Sequence, residues 1–152
     1  MGSSDNIYEK RLVNRLRMYW DRVREEGDVP FSNTFSSNQL GDVWQSCLQI
    51  KVTVAAEKNL YFCEFAGEQL KKGLGKDLKD KYFSSSETGG IVSREFIKVL
   101  DESVGNKEFV LSQGQFINHP SKVVKYRDCV LPFKDLDGKI DMLIVGLSWR
   151  SF

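Results

Sequence analysis

The pattern of apolar and polar positions is most informative in the last third of the chain, residues 106–152. In Ile140-Asp-Met-Leu-Ile-Val-Gly-Leu-Ser-Trp149, one phase carries Ile140, Met142 and Ile144, and the other Leu143, Val145, Leu147 and Trp149. A half-solvated antiparallel strand alternates apolar with polar residues, so a strand apolar in both phases needs cover on both faces. Asp137-Gly138 marks a tight reversal before it, and His119-Pro120-Ser121 marks an earlier one. The segment therefore reads as three antiparallel strands, Lys107–Asn118, Val123–Phe133 and Lys139–Trp149, joined by turns at His119–Lys122 and Lys134–Gly138.

Upstream, the period changes to that of a helix. From Asn6 to Glu26, Tyr8, Leu12, Leu16, Tyr19 and Val23 draw one apolar stripe, widened by Val13 and Trp20. Asp5 or Asn6 can cap its start and Gly27 its end. The polar side mixes Lys10, Arg11, Arg15, Arg17, Arg22 and Arg24 with Glu9, Asp21, Glu25 and Glu26, which reads as a solvated surface. So wide a stripe predicts docking on the outer face of the C-terminal sheet, in its own chain or a neighbour's. Residues 28–37 read as a linker, with one helical turn over Ser37–Trp44. Cys47–Ala56 alternates as a strand, Glu57-Lys-Asn59 turns, and Leu60–Phe65 returns.

Between the two strand groups lie a short helix over Ala66–Gly73, a short turn or helix over Lys76–Phe83, a loop over Ser84–Gly90, and a longer helix over Ile91–Val104. The longer helix has Val92, Phe96, Val99, Leu100 and Ser103 along one side and Gly105 as its stop. The expected fold is α+β: a five-stranded antiparallel sheet with helices over its inner face and the N-terminal helix outside. Residues 1–27 form the N-terminal amphipathic unit of this reading and residues 28–152 the main domain.

Composition narrows the function more than the fold. The chain has 152 residues, 41% hydrophobic and 28% charged, with a net charge of +1. That balance gives no electrostatic footing for nucleic acid. No apolar run reaches the roughly 20 residues of a membrane span, and the start lacks a secretory core and the Ser or Thr of a myristoylation site at position 6, where Asn6 stands. A soluble cytoplasmic protein is expected. Cys47, Cys63 and Cys129 are odd in number, without a CxxC pair, and sit in apolar stretches, which predicts buried free thiols.

This order of elements, together with several segments, resembles a PAS domain, and more closely the short single-domain bacterial PAS family common in alphaproteobacteria. The likeness covers Leu16 to Trp149. It rests on Met18-Tyr-Trp-Asp21 with Val29-Pro30, Tyr61-Phe-Cys-Glu-Phe-Ala-Gly67 and Gly75-Lys-Asp77-Leu78. Tyr126-Arg-Asp-Cys-Val-Leu-Pro-Phe133 and Asp141-Met-Leu-Ile-Val-Gly146 complete it. Asp80 stands where the family often has Gly, a departure that bears on the loop there. The resemblance implies a non-catalytic sensory and signalling module acting through protein–protein interaction, with a small-molecule pocket on the inner face. It also implies a homodimer through the N-terminal helix, here Tyr8, Leu12, Leu16, Tyr19, Trp20 and Val23. A signalling partner such as a histidine kinase or regulator would receive the signal, because a chain ending at Phe152 leaves no room for an output domain.

The inner face and the long helix supply Phe96, Val99, Leu100, Phe116, Tyr126 and Met142 as pocket residues. Strand alternation allows only one of Tyr126 and Arg127 to face that pocket. No cofactor is expected. Haem would need an axial His from the inserted helices, flavin chemistry a reactive Cys near the long helix, and the single histidine, His119, sits in a turn. Asp135-Leu-Asp137-Gly138 lacks the ligands of a calcium loop and reads as a hairpin turn. The lysines around Gly73-Leu-Gly75 lack a phosphate-loop pattern, and Asp101-Glu102 reads as solvent charge. The alternative function is a small isomerase- or dehydratase-like enzyme on a similar α+β cone, with Asp128 or Asp141 as base.

Overall fold

The computed structural model describes residues 3–24, 27–55, 58–74, 76–84, 92–118 and 122–151. Helix α1 spans Ser3–Val23, followed by 3-10 segments at Ser32–Thr34 and Ser37–Ser46. Strands β1 (Cys47–Ala55) and β2 (Lys58–Ala66) precede α2 (Glu68–Leu74), β3 (Tyr82–Ser84) and α3 (Arg94–Asn106). Strands β4 (Val110–Asn118), β5 (Lys122–Lys134) and β6 (Ile140–Ser151) close the chain.

The strands form one antiparallel sheet in the order β3-β2-β1-β6-β5-β4. The sheet thus has six strands, where the sequence predicts five. The extra one is β3, which takes the end of the stretch read as a turn or helix over Lys76–Phe83 and the first residue, Ser84, of the expected loop. Its chain is turned into the sheet by Asp80, which adopts a left-handed φ of 66° and donates its N–H to the Cys63 carbonyl at 2.7 Å. An aspartate here takes the backbone conformation that Gly would make easy.

Strand β6 lies in the middle, between β1 and β5, and Ile140 and residues 142–148 are all buried. Its two apolar phases are explained by two layers. On the outer side, Leu16 of α1 occupies the space over Gly146, where an added Cβ would overlap the Leu16 Cδ1 and crowd the Cys129 Sγ. Trp20 anchors the same helix by donating its indole N–H to the Pro132 carbonyl at 2.8 Å. Pro132 lies beyond Val130, the residue paired with the first residue of β4, so its missing N–H breaks no ladder bond on that side. Leu12, Leu16, Tyr19 and Trp20 are all buried in the chain's own core. Of the two alternatives for the stripe, it is the chain's own sheet that covers it. Val23 is half-buried, and the side chain of Tyr8 lies outside those described.

The inner layer is α2 and α3. Gly73 of α2 leaves room for the Trp149 indole, whose N–H donates to the Gln69 carbonyl at 3.2 Å. Ser93 caps α3 by accepting from the Phe96 N–H, and Phe96, Ile97 and Leu100 are buried beneath the helix. Gly105 is not its stop: α3 runs on to Asn106 and ends on Lys107 in the left-handed region. Lys107 is tied down by its ammonium, which donates to the Gly138 carbonyl at 3.1 Å. The turn at 135–139 is closed by the Asp135 carboxylate, which accepts from the backbone N–H groups of Asp137 and Lys139, as a plain hairpin requires. The expected loop at 85–90 and the turn at His119 lie outside the described residues. No described helix is long and apolar enough to cross a membrane.

Candidate functional site

The inner face is apolar over most of its area but carries a buried polar group built by β4, β5 and the start of α3. Ser112 and Asp128 are register partners across β4 and β5, as are Gly114 and Tyr126 two residues on. Cross-strand partners share a face, so these side chains stand together. Gly114 is needed there, because any Cβ would overlap the Tyr126 hydroxyl. The phenol therefore lies across β4 and reaches Ser93, with which it hydrogen-bonds at the α3 N-terminus.

Asp128 is the deepest member, at 2% exposure. The Ser112 hydroxyl donates to its Oδ1, while among the described residues its buried Oδ2 has no hydrogen-bond partner. Burial raises its pKa, and the bonds from Ser112 and its own backbone offset part of that rise. Burial also raises the Tyr126 pKa, against the Ser93 bond and with the help of the Asp128 and Glu95 charges. An ionised carboxylate with one satisfied oxygen in an apolar layer is a poor final state. A donor delivered to Oδ2, or a proton on the carboxyl, relieves it.

The pocket residues read from the sequence divide between the two faces. Phe96, Leu100 and Tyr126 are buried on the inner side, with Val99 half-buried beside them. Phe116 occupies an inner-face register position opposite Val124, and its side chain is outside those described. Met142 belongs to the other side. The uninterrupted register Phe133↔Met142, Leu131↔Ile144 and Cys129↔Gly146 gives it the face of Gly146, over which Leu16 sits. Alternation separates the two phases of β6 correctly, but the phase of Met142 is not the one that faces the inner layer. Arg127 is exposed and Tyr126 buried, in keeping with their opposite directions.

Sequence reasoning passes over Ser93, Ser112 and Gly114. The available signal is Gly114 inside a strand, which marks close approach of another group. Asp101 is not a solvent charge either. Its carboxylate accepts from the Tyr61 hydroxyl at 2.5 Å and from Asn59 at 3.2 Å, joining α3 to β2. Burial and that carboxylate raise the Tyr61 pKa. Asp141 accepts from Ser32 at 3.0 Å and is half-buried at the opposite end of β6 from Trp149, and burial raises its pKa. Cys47, Cys63 and Cys129 are free and buried, with Cys63 and Cys129 pushed up to about 12 by desolvation. These thiols are therefore poor nucleophiles. Lys71 pairs with Glu68 and Asp77 rather than standing in an anion cradle.

Compared with known families and curated proteins, the chain matches no family model and no curated relative.

Proposed function

We propose that the chain is a PAS-like sensory module. It holds a small molecule on its inner face and signals by protein contact and dimerisation rather than by catalysis. The observation that carries this reading is the Asp128–Ser112 pair with Tyr126 and Ser93, a polar group enclosed between an apolar sheet face and α3. Ligand sites commonly set a few convergent polar groups in apolar surroundings, and among the described residues this group has a carboxyl oxygen without a partner. Strand β6 supports the second half of the reading. It is buried against α1 on one face and the inner layer on the other, so it gives a change in inner-face packing a direct route to the outer helix. A histidine kinase or regulator is the kind of protein that would receive such a signal.

The reading is tested by hydrogen exchange on the full chain after denaturation, dialysis and refolding, with and without a low-molecular-weight extract of its own host. The expected result is slower exchange across α3 and the β4–β5 amides in the presence of extract. Identical exchange in the two samples overturns the ligand reading.

One observation favours a second reading. A buried carboxyl with a raised pKa is also what a general acid or base requires, so an isomerase- or dehydratase-like activity centred on Asp128 is the alternative. Turnover of a carbonyl or hydroxy-acid substrate that disappears in Asp128→Asn would replace the sensory reading with this one.

A further inference from the structure

The two ends of the sheet are built differently. At one end β3 has three residues and is flanked by Lys79, Asp80 and Lys81, a short edge with charges beside it. Such devices are how sheets keep other strands from pairing with them. At the other end β4 has nine residues, Val110-Leu-Ser-Gln-Gly-Gln-Phe-Ile-Asn118, with no charge and no proline. Among the described residues no strand pairs with its free side. Leu111 is 55% exposed, and Gln113 and Gln115 are exposed. A long, uncharged edge of this kind offers a row of backbone donors and acceptors whose natural complement is another extended strand.

We propose that β4 is the dimerisation edge, pairing antiparallel with β4 of a second copy about Gly114 and joining the two sheets into one. The proposal rests on the reading of the chain as a dimerising module and replaces the stripe of α1, which is spent on the chain's own core. The sequence of the strand favours a second copy over an unrelated peptide. Two-fold pairing about Gly114 sets Gln113 opposite Gln115 of the other copy, amide against amide, and Leu111 opposite Ile117. No like charges meet anywhere along the pairing. The edge also adjoins the inner-face group directly, because Ser112 and Gly114 are β4 residues that hold Asp128 and make room for Tyr126. A ligand that rearranges Tyr126 would thus act on the strand at the centre of the dimer.

Sedimentation velocity of the full chain at micromolar concentration tests this. The wild type is expected to sediment as a dimer. Gln113→Lys with Gln115→Lys places like charges opposite each other across the two-fold and is expected to weaken dimerisation by at least about tenfold. Gln113→Lys with Gln115→Glu places opposite charges there and is expected to restore it. At concentrations low enough for each to be monomeric, all three proteins should melt at similar temperatures, since both positions are exposed. A strictly monomeric wild type overturns the proposal, as does a dimer indifferent to the paired lysines. A dimer indifferent to the lysines removes the β4 edge alone and leaves the dimerising reading standing, whereas a monomeric wild type removes both. The ligand-dependent exchange test is independent of either result.

Discussion

At Asp128, burial raises the carboxyl pKa above its ordinary value of 3.8, the bonds from Ser112 and its own backbone offset only part of that rise, and among the described residues Oδ2 has no partner. Between the unfolded and folded pKa values the native state then binds more protons than the unfolded chain. The penalty from this residue is absent below the unfolded value, grows as pH rises through the folded one, and is fully present above it. An asparagine at this position keeps the shape and has no charge to desolvate. Asp128→Asn is therefore expected to stabilise the ligand-free protein by about 1 kcal/mol near neutral pH, and to lose the advantage on acidification. Denaturant unfolding of both proteins across pH checks this. A variant less stable than wild type at neutral pH would mean that the ionised carboxylate has a partner in the native state. Lowered pKa values at Asp28, Asp42 and Asp77 arise from exposed hydrogen bonds and ion pairs and carry little weight in the same curve.

Among the elements, the contact between α1 and β6 is the one the sheet depends on for its outer cover. Leu16 fills the gap left by Gly146, so Gly146→Ala should push the helix outward and cost about 2 kcal/mol. Leu16→Ala alone should cost about 3 kcal/mol by emptying the same space. The double variant should cost clearly less than the sum, because each change makes room for the other. Additive losses in thermal or denaturant unfolding would show that the two residues do not share this space. Most of these elements are legible from the hydrophobic period. The stripe of α1 and the two apolar phases of β6 are visible because burial on a regular element leaves a regular pattern. Strand β3 is not, because it is three residues long and follows a lysine-rich turn whose left-handed residue is Asp80 rather than a glycine. The end of α3 escapes a sequence reading for a related reason. Gly105 looks like a stop, but the helix ends where Lys107 reaches the Gly138 carbonyl, a contact distant in sequence. Met142 shows the same limit at the site. Periodicity separates the two phases of a strand but does not say which faces the ligand side; only the seat of Leu16 over Gly146 decides that.

For the molecule as a whole, the sheet divides two layers with different tasks. The outer layer is closed by the chain's own helix, the inner layer holds the Asp128 group, and among the described residues the β4 edge beside that group is unpaired. Its polar members are hard to foresee because Ser93, Ser112 and Asp128 come from three separate elements, and only the β4–β5 register and the α3 cap bring them together. The most direct test is native mass spectrometry of the wild type and Asp128→Asn, each purified from the protein's own host. The account predicts a wild-type dimer carrying extra non-protein mass that is lost in the Asp128→Asn variant. A bare wild-type monomer at micromolar concentration, or extra mass retained unchanged without the Asp128 carboxylate, would contradict it.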